Sequence, residues 1–185
     1  MYKFILFLLL YAGNSFAGSY WFSLGNITHN FESAQSNTTA GKKVFEFAPV
    51  VFLGARIPFF FDQNLTPAIG FAKFFTKDNT SKSEIILQYH LAQYLFGGLD
   101  FRYGFSNYIT TISGDGSAIT LNNGSGTATF YAPSESKKSY TASLDLGANF
   151  LVSSDFSAGL QFSIMRFLSS DRRRVSHILT VDYLF

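Results

Sequence analysis

Apolar and polar residues alternate one for one along most of this chain, in stretches of about ten residues. From Tyr140, one parity reads Tyr140, Ala142, Leu144, Leu146, Ala148 and Phe150, and the other reads Thr141, Ser143, Asp145, Gly147 and Asn149. A period of two places these sets on opposite faces of a β-strand. The pattern recurs and predicts eight strands: Ser19–His29, Val44–Ile57, Thr66–Phe75, Glu84–Leu95, Leu99–Ile109, Ser139–Leu151, Phe156–Leu168 and Val175–Phe185. Strands of soluble domains usually run five or six residues. Stretches of about ten match tilted strands that cross a bilayer. No apolar run after Ala17 approaches the 18 residues or more of a spanning helix. The predicted fold is therefore all-β, a transmembrane antiparallel up-and-down β-barrel of eight strands. Ten strands is the alternative, if the longest connection hides a spanning pair.

The connections carry the orientation. Those at about 30–43, 76–83, 110–138 and 169–174 are polar, whereas 62–65, Gly97-Gly98 and Ser153–Asp155 are short. Long and short links alternate in outer-membrane barrels, the long ones outside the cell and the short ones in the periplasm. The start of the chain agrees with export. Lys3 precedes an apolar run from Phe4 to Leu10, and Asn14-Ser15-Phe16-Ala17 offers small residues to a peptidase, as in a Sec-type signal peptide cleaved after Ala17. Residues 1–17 are then a leader and 18–185 the barrel, addressed to the bacterial outer membrane.

Composition changes the picture in three ways. Only 14% of the 185 residues are charged, against about 25% in soluble domains, and 18% are aromatic. Lipid-facing strands with aromatic girdles account for both figures. The absence of cysteine excludes a disulfide scaffold, a thiolate metal site and a thiol nucleophile. A net charge of +2 gives no footing for nucleic acid.

At the end of the chain, Leu179, Val181, Tyr183 and Phe185 share one face, with Phe185 last. This ending resembles the C-terminal assembly signal of bacterial outer-membrane proteins. With the leader and the alternation, it makes residues 18–185 resemble the small OmpA/OmpX-type barrels, with OmpW-like proteins as the alternative. The resemblance implies contact with the outer-membrane assembly machinery, with outer-membrane lipid and with lipopolysaccharide. It also implies a monomer with no cofactor.

The inside of an eight-stranded barrel is just wide enough for side chains. Polar parity places Glu46, Arg56, Gln88, His90, Asp100, Arg102, Asp145, Asn149, Gln161, Thr180 and Asp182 there. Buried charges require partners; Asp100, Asp182 and Asp145 are expected to hold Arg56 and Arg102. The small residues Ala48, Gly54, Ala68, Gly70, Ala72, Gly104, Gly147 and Gly159 leave room for a narrow, cation-preferring path as the competing reading. Outside, Lys73, Arg166, Arg172, Arg173 and Arg174 gather toward the extracellular end, where guanidinium and ammonium groups suit lipopolysaccharide phosphates. In the loop 110–138, Asn122-Asn123-Gly124-Ser125-Gly126 lies between Ala118–Leu121 and Thr127–Tyr131. That is a hairpin signal, and its exposed edge offers a surface to another protein.

Catalysis and metal binding find little support. Ser176 and His177 are adjacent and so face opposite ways. The His-x-Ser spacing expected of a lipid A deacylase is missing, since Leu179 follows His177 by two. His29 with Asp78 and Ser81 at the outer rim loosely resembles the palmitoyltransferase barrel, without the amphipathic helix that precedes the first strand there. No two-histidine metal spacing exists. The expected role is non-enzymatic, structural or surface-interacting; a narrow channel for ions, solutes or hydrophobic molecules is second, and a lipid A-modifying enzyme third.

Overall fold

The computed structural model describes residues 19–32, 43–60, 63–75, 80–114, 116, 118–122, 126–131, 135–168 and 174–185. The leader lies outside these residues, as do Asp78, Arg172 and Arg173. Among the described residues there are ten strands: β1 (Ser19–Glu32), β2 (Lys43–Pro58), β3 (Gln63–Phe74), β4 (Thr80–Phe96), β5 (Leu99–Gly114), β6 (Ala118–Asn122), β7 (Thr127–Tyr131), β8 (Lys137–Leu151), β9 (Phe156–Met165) and β10 (Arg174–Leu184). Eight of them close an antiparallel barrel in the order β1-β10-β9-β8-β5-β4-β3-β2. The other two, β6 and β7, pair only with each other. Five residues each cannot span a bilayer, so the barrel has eight strands and not ten.

The barrel's dimensions follow from its register. From Gly25, successive partners in one direction are Val50, Ala72 and Glu84 of β4. In the other direction they are Thr180, Gly159, Asn149, Asp100 and Tyr94, also of β4. The two paths arrive ten residues apart, which is the shear. With strands spaced about 4.8 Å and rising about 3.4 Å per residue, eight strands and this shear require a tilt of about 41°. Each residue then climbs about 2.6 Å along the barrel axis.

Several strands outrun the apolar pattern that predicts them. β4 begins at Thr80 rather than Glu84, and β5 runs on to Gly114 rather than Ile109, because Thr80↔Gly114, Ser81↔Ser113 and Lys82↔Ile112 continue the ladder. Alternation is imposed by lipid and stops at its edge, whereas backbone hydrogen bonding does not. β9 is shorter than its pattern, ending at Met165 rather than Leu168. There Arg166 takes a left-handed φ of 54° and its N–H bonds Ala142 O. At the β4–β5 turn, Gly97 and Gly98 both have positive φ (57° and 82°), the backbone that a tight hairpin demands and that glycine adopts without strain.

The faces sort as in an inside-out protein. Leu24, Phe47, Leu53, Ile69, Phe71, Tyr89, Phe105, Leu146, Leu179 and Val181 are exposed on the outer wall. Phe156 and Tyr20 mark one end of this belt and Phe75 and Tyr140 the other. By the register and tilt, the belt is about 27 Å tall, close to the apolar band of outer-membrane barrels.

Candidate functional site

The lumen is where charge, polarity and enclosure coincide. All the predicted lumen residues lie on the inner parity; Gln88, His90, Asp145, Asn149 and Asp182 are buried and the rest are half-buried. They fall into three groups at different depths.

Toward the periplasm, Arg56 is bonded to Asp100. Asp182 accepts hydrogen bonds from Ser23 (2.7 Å) and Asn149, and lies 3.7 Å from Arg102. The Arg102 guanidinium also sits 5.3 Å from the Trp21 ring, a cation–π contact. Deeper, Asp145 faces His90 Nε2 at 2.8 Å and accepts from Ser143 (2.7 Å) and Ser106. Asp145 thus holds His90 and two hydroxyls and not an arginine; it lies on β8, away from the guanidinium pairs.

The third group, near the extracellular mouth, is the one that sequence reasoning missed. His29 Nε2 lies 2.8 Å from Glu84, and its Nδ1 is bonded to Ser176. Thr110 donates to Glu84 at 3.0 Å, and Lys82 bridges Glu84 (3.5 Å) and Glu46. Phe74 stacks on His29 with centroids 5.1 Å apart, and Lys82 Nζ lies 4.2 Å from the Phe74 centroid. His29 therefore points into the barrel and not to a rim site with Asp78 and Ser81; Ser81 instead accepts from Lys73. The signal was present in the parity: Lys82 and Glu84 continue the inward register of Gln88 and His90 beyond the apolar pattern.

Ser176, His29 and Glu84 form a Ser–His–acid relay, which makes nucleophilic chemistry a question for this site. Geometry answers it. Ser176 has no accessible surface, and both ring partners are almost fully buried. Ser176 Oγ also contacts Met165 Sδ at 3.8 Å, and the lumen cavity does not reach the triad. The Ser176 hydroxyl therefore has no exposed surface that a substrate could approach. Among the described residues, no cluster of His, Asp and Glu is arranged to hold a metal.

Between the polar groups, large apolar side chains close the lumen. Trp21, Ile27, Val50, Phe52, Ile86, Tyr108 and Ile178 belong to one buried cluster. They occupy the space that the small residues promised in the sequence. A Cβ on Gly54 would lie 2.4 Å from the Trp21 ring, and one on Gly70 would lie 2.2 Å from the Phe52 ring. Each glycine is thus the socket for a ring from the neighbouring strand. Beside these rings lies a cavity of about 20 Å³ among Trp21, Phe52, His90, Arg102, Asp145 and Asp182, room for one or two waters. Trp21 Nε1 and Arg102 Nε have no partner among the described residues.

At the outer mouth, Lys73 is exposed and Arg166 half-buried, and Arg174 opens β10. At the opposite end, Phe185 N–H bonds Tyr20 O, and Tyr20 N–H bonds Phe185 O. Tyr183, Phe185 and Tyr20 stack in a row with centroids 6.2 Å apart, where the two ends of the barrel sheet meet.

No protein-family model matches the chain, and no curated protein matches it. Solved structures do. Ail, the attachment invasion locus protein of Yersinia pestis, superposes with a TM-score of 0.55 at 11% identity, covering 91% of this chain and 99% of Ail. Ail in complex with the heparin analogue sucrose octasulfate gives 0.53 at 13%, with the same coverage. Neisserial surface protein A superposes more loosely, at 0.49 and 13%, over 89% of this chain and 97% of its own. At these identities the likeness speaks for architecture, and the chain has the closed eight-stranded antiparallel barrel of small integral outer-membrane proteins.

Proposed function

We propose that this chain is a non-enzymatic integral outer-membrane barrel whose lumen is structural filling and whose work is done at the extracellular surface. The observation that carries this reading is the filling of the lumen, in which rings from β1 and β2 occupy glycine sockets beside a cavity of about 20 Å³. A conduit needs a continuous wet path, and the buried cluster of Trp21, Phe52, Ile27 and Ile178 inside the barrel supports the reading that there is none. The polar groups beside that cluster bind one another, as buried charges must.

Two features are left for the surface. Among the described residues the β6–β7 ribbon shares no ladder with a barrel strand, and we read it as a surface for strand addition by a partner protein. Lys73, Arg166 and Arg174 supply cations at the extracellular end for lipopolysaccharide phosphates, and Arg172 and Arg173 add to them in the sequence. Bilayer recordings of the purified protein test the first half; stepwise single-channel conductance sinks the filled-lumen reading. Deleting 118–131 tests the second half. Attachment to cells or envelope components is expected to fall while the heat-modifiable folded band persists; undiminished attachment refutes the role of the ribbon.

A further inference from the structure

The outer wall carries one cluster that a lipid-facing surface does not explain. On β1 the outward residues from Tyr20 to Asn30 are Tyr20, Phe22, Leu24, Asn26, Thr28 and Asn30; on β10 they are Tyr183, Val181, Leu179, His177 and Val175. Thr28 pairs directly with His177, and Asn26 pairs with Leu179 one step toward the periplasm. Asn26, Thr28 and His177 therefore form a single polar notch across the seam where the first and last barrel strands meet.

Depth sets Asn26 and His177 well below the headgroup region. By register and tilt, Asn26 lies within about 3 Å of the middle of the apolar belt and about 11 Å below Tyr140 and Phe75. His177 lies about 9 Å below that edge and Thr28 about 6 Å. Apolar residues flank the notch on three sides, with Leu24, Leu179 and Val181 beneath it, Phe47 and Val51 on one side and Phe162 and Ile164 on the other, while Asn30 continues it above. Thr28 donates to Asn26 Oδ1 at 3.3 Å. Among the described residues no hydrogen bond reaches the Asn26 amide nitrogen or the His177 ring nitrogens. The His177 ring is held edge-on to Phe162 with centroids 5.0 Å apart. Polar groups in hydrocarbon demand partners, and a lipid phosphate would have to leave its headgroup layer to supply one.

We propose that a second copy of this chain supplies it, in a two-fold dimer across the β1–β10 seam, in place of the monomer expected from the sequence. Amide, hydroxyl and imidazole groups each donate and accept, so the notch is its own complement. An isologous interface requires that property, because the same patch must serve both partners. Polar side chains within an apolar contact are also the usual glue between elements packed inside a bilayer. The exposed Leu24, Leu179 and Val181 provide the apolar surface around the hydrogen bonds. The opposite wall offers a control: Asn107 on β5 is exposed at comparable depth but stands singly, and β5 is four strands from β1 in either direction.

The chain has no cysteine, so single-cysteine variants have no background. Thr28→Cys and Asn107→Cys are expressed as the full chain in a bacterial outer membrane and oxidised there with copper phenanthroline. Heat-modifiable mobility confirms that each barrel is folded, and dimers are read on non-reducing gels. The dimer requires at least ten-fold more disulfide-linked homodimer at position 28 than at position 107. Equal cross-linking at both positions, none at position 28, or an adduct with a different protein there overturns it. A second measurement avoids oxidation: sedimentation of the cysteine-free protein in detergent is expected to show a dimer that Asn26→Leu with His177→Leu converts to monomer. A monomer before substitution, or a dimer that persists afterwards, also overturns the proposal.

Discussion

Phe52 and Gly70 offer the sharpest test of the filled lumen. Phe52 is buried, with its ring where a side chain at Gly70 would begin; the nearest ring carbon lies 2.2 Å from the built Cβ. Phe52→Ala removes on the order of 100 Å³ of ring next to an existing cavity of about 20 Å³. At about 24 cal/mol per Å³, the cavity contributes about 2.4 kcal/mol, and the lost transfer of the ring adds about 2 kcal/mol. The sum lies within the range of about 3–5 kcal/mol usual for Phe→Ala. Gly70→Val alone drives methyl groups into the same ring and is expected to cost about 1–3 kcal/mol. In the Phe52→Ala background the clash is gone and the valine fills part of the hole, so the second substitution becomes neutral or stabilising. The coupling energy should reach about 2 kcal/mol. Urea titration of barrels in phospholipid vesicles measures it, with the fluorescence of Trp21, the sole tryptophan, and heat-modifiable mobility as parallel readouts. Costs that add within about 0.5 kcal/mol would show that ring and socket do not meet.

Asp145→Ala strands His90, Ser106 and Ser143 in the lumen; a loss of about 3–5 kcal/mol is expected, and Asp145→Asn should recover part of it in the same titration. Gly25→Val places a Cβ about 2.1 Å from Leu179 O across the β1–β10 seam. Barrel closure should fail, leaving little heat-modifiable band; normal folding would mean that the seam is looser than its register implies. Ser176→Ala should lower the urea midpoint without altering lipid A, because the hydroxyl has no exposed surface; a changed lipid A mass spectrum would return the Ser176–His29–Glu84 relay to catalysis. Replacing Arg172, Arg173 and Arg174 together should weaken co-purification with lipopolysaccharide, and unchanged association would remove that contact.

The barrel was legible because lipid imposes a strict period. Each outward position must be apolar, so the parities of Tyr140–Phe150 or Phe156–Ile164 display strand, face and membrane in a single pattern. Inward positions obey a looser rule, that of filling a narrow space with partners satisfied. Parity therefore identified Asp145 and Asp182 as lumen residues but could not say that one takes His90 and the other Ser23 and Asn149, because those partners lie 33 to 159 residues away. Lys82, Glu84 and His29 were missed for a related reason: they sit at strand ends, where the outward pattern has already lost its apolar character.

By itself, then, the sequence determined an all-β barrel with an apolar coat and a polar interior, since lipid on one face and a narrow lumen on the other dictate residue type position by position. The tertiary structure decided three further matters. Eight strands close with a shear of 10, set by register that no single strand encodes. The small residues read as free space became sockets for Trp21 and Phe52, because volume belongs to neighbouring strands together and not to one. Asn26, Thr28 and His177, scattered in the sequence, became one notch when β10 met β1, a contact that exists only once the barrel is closed.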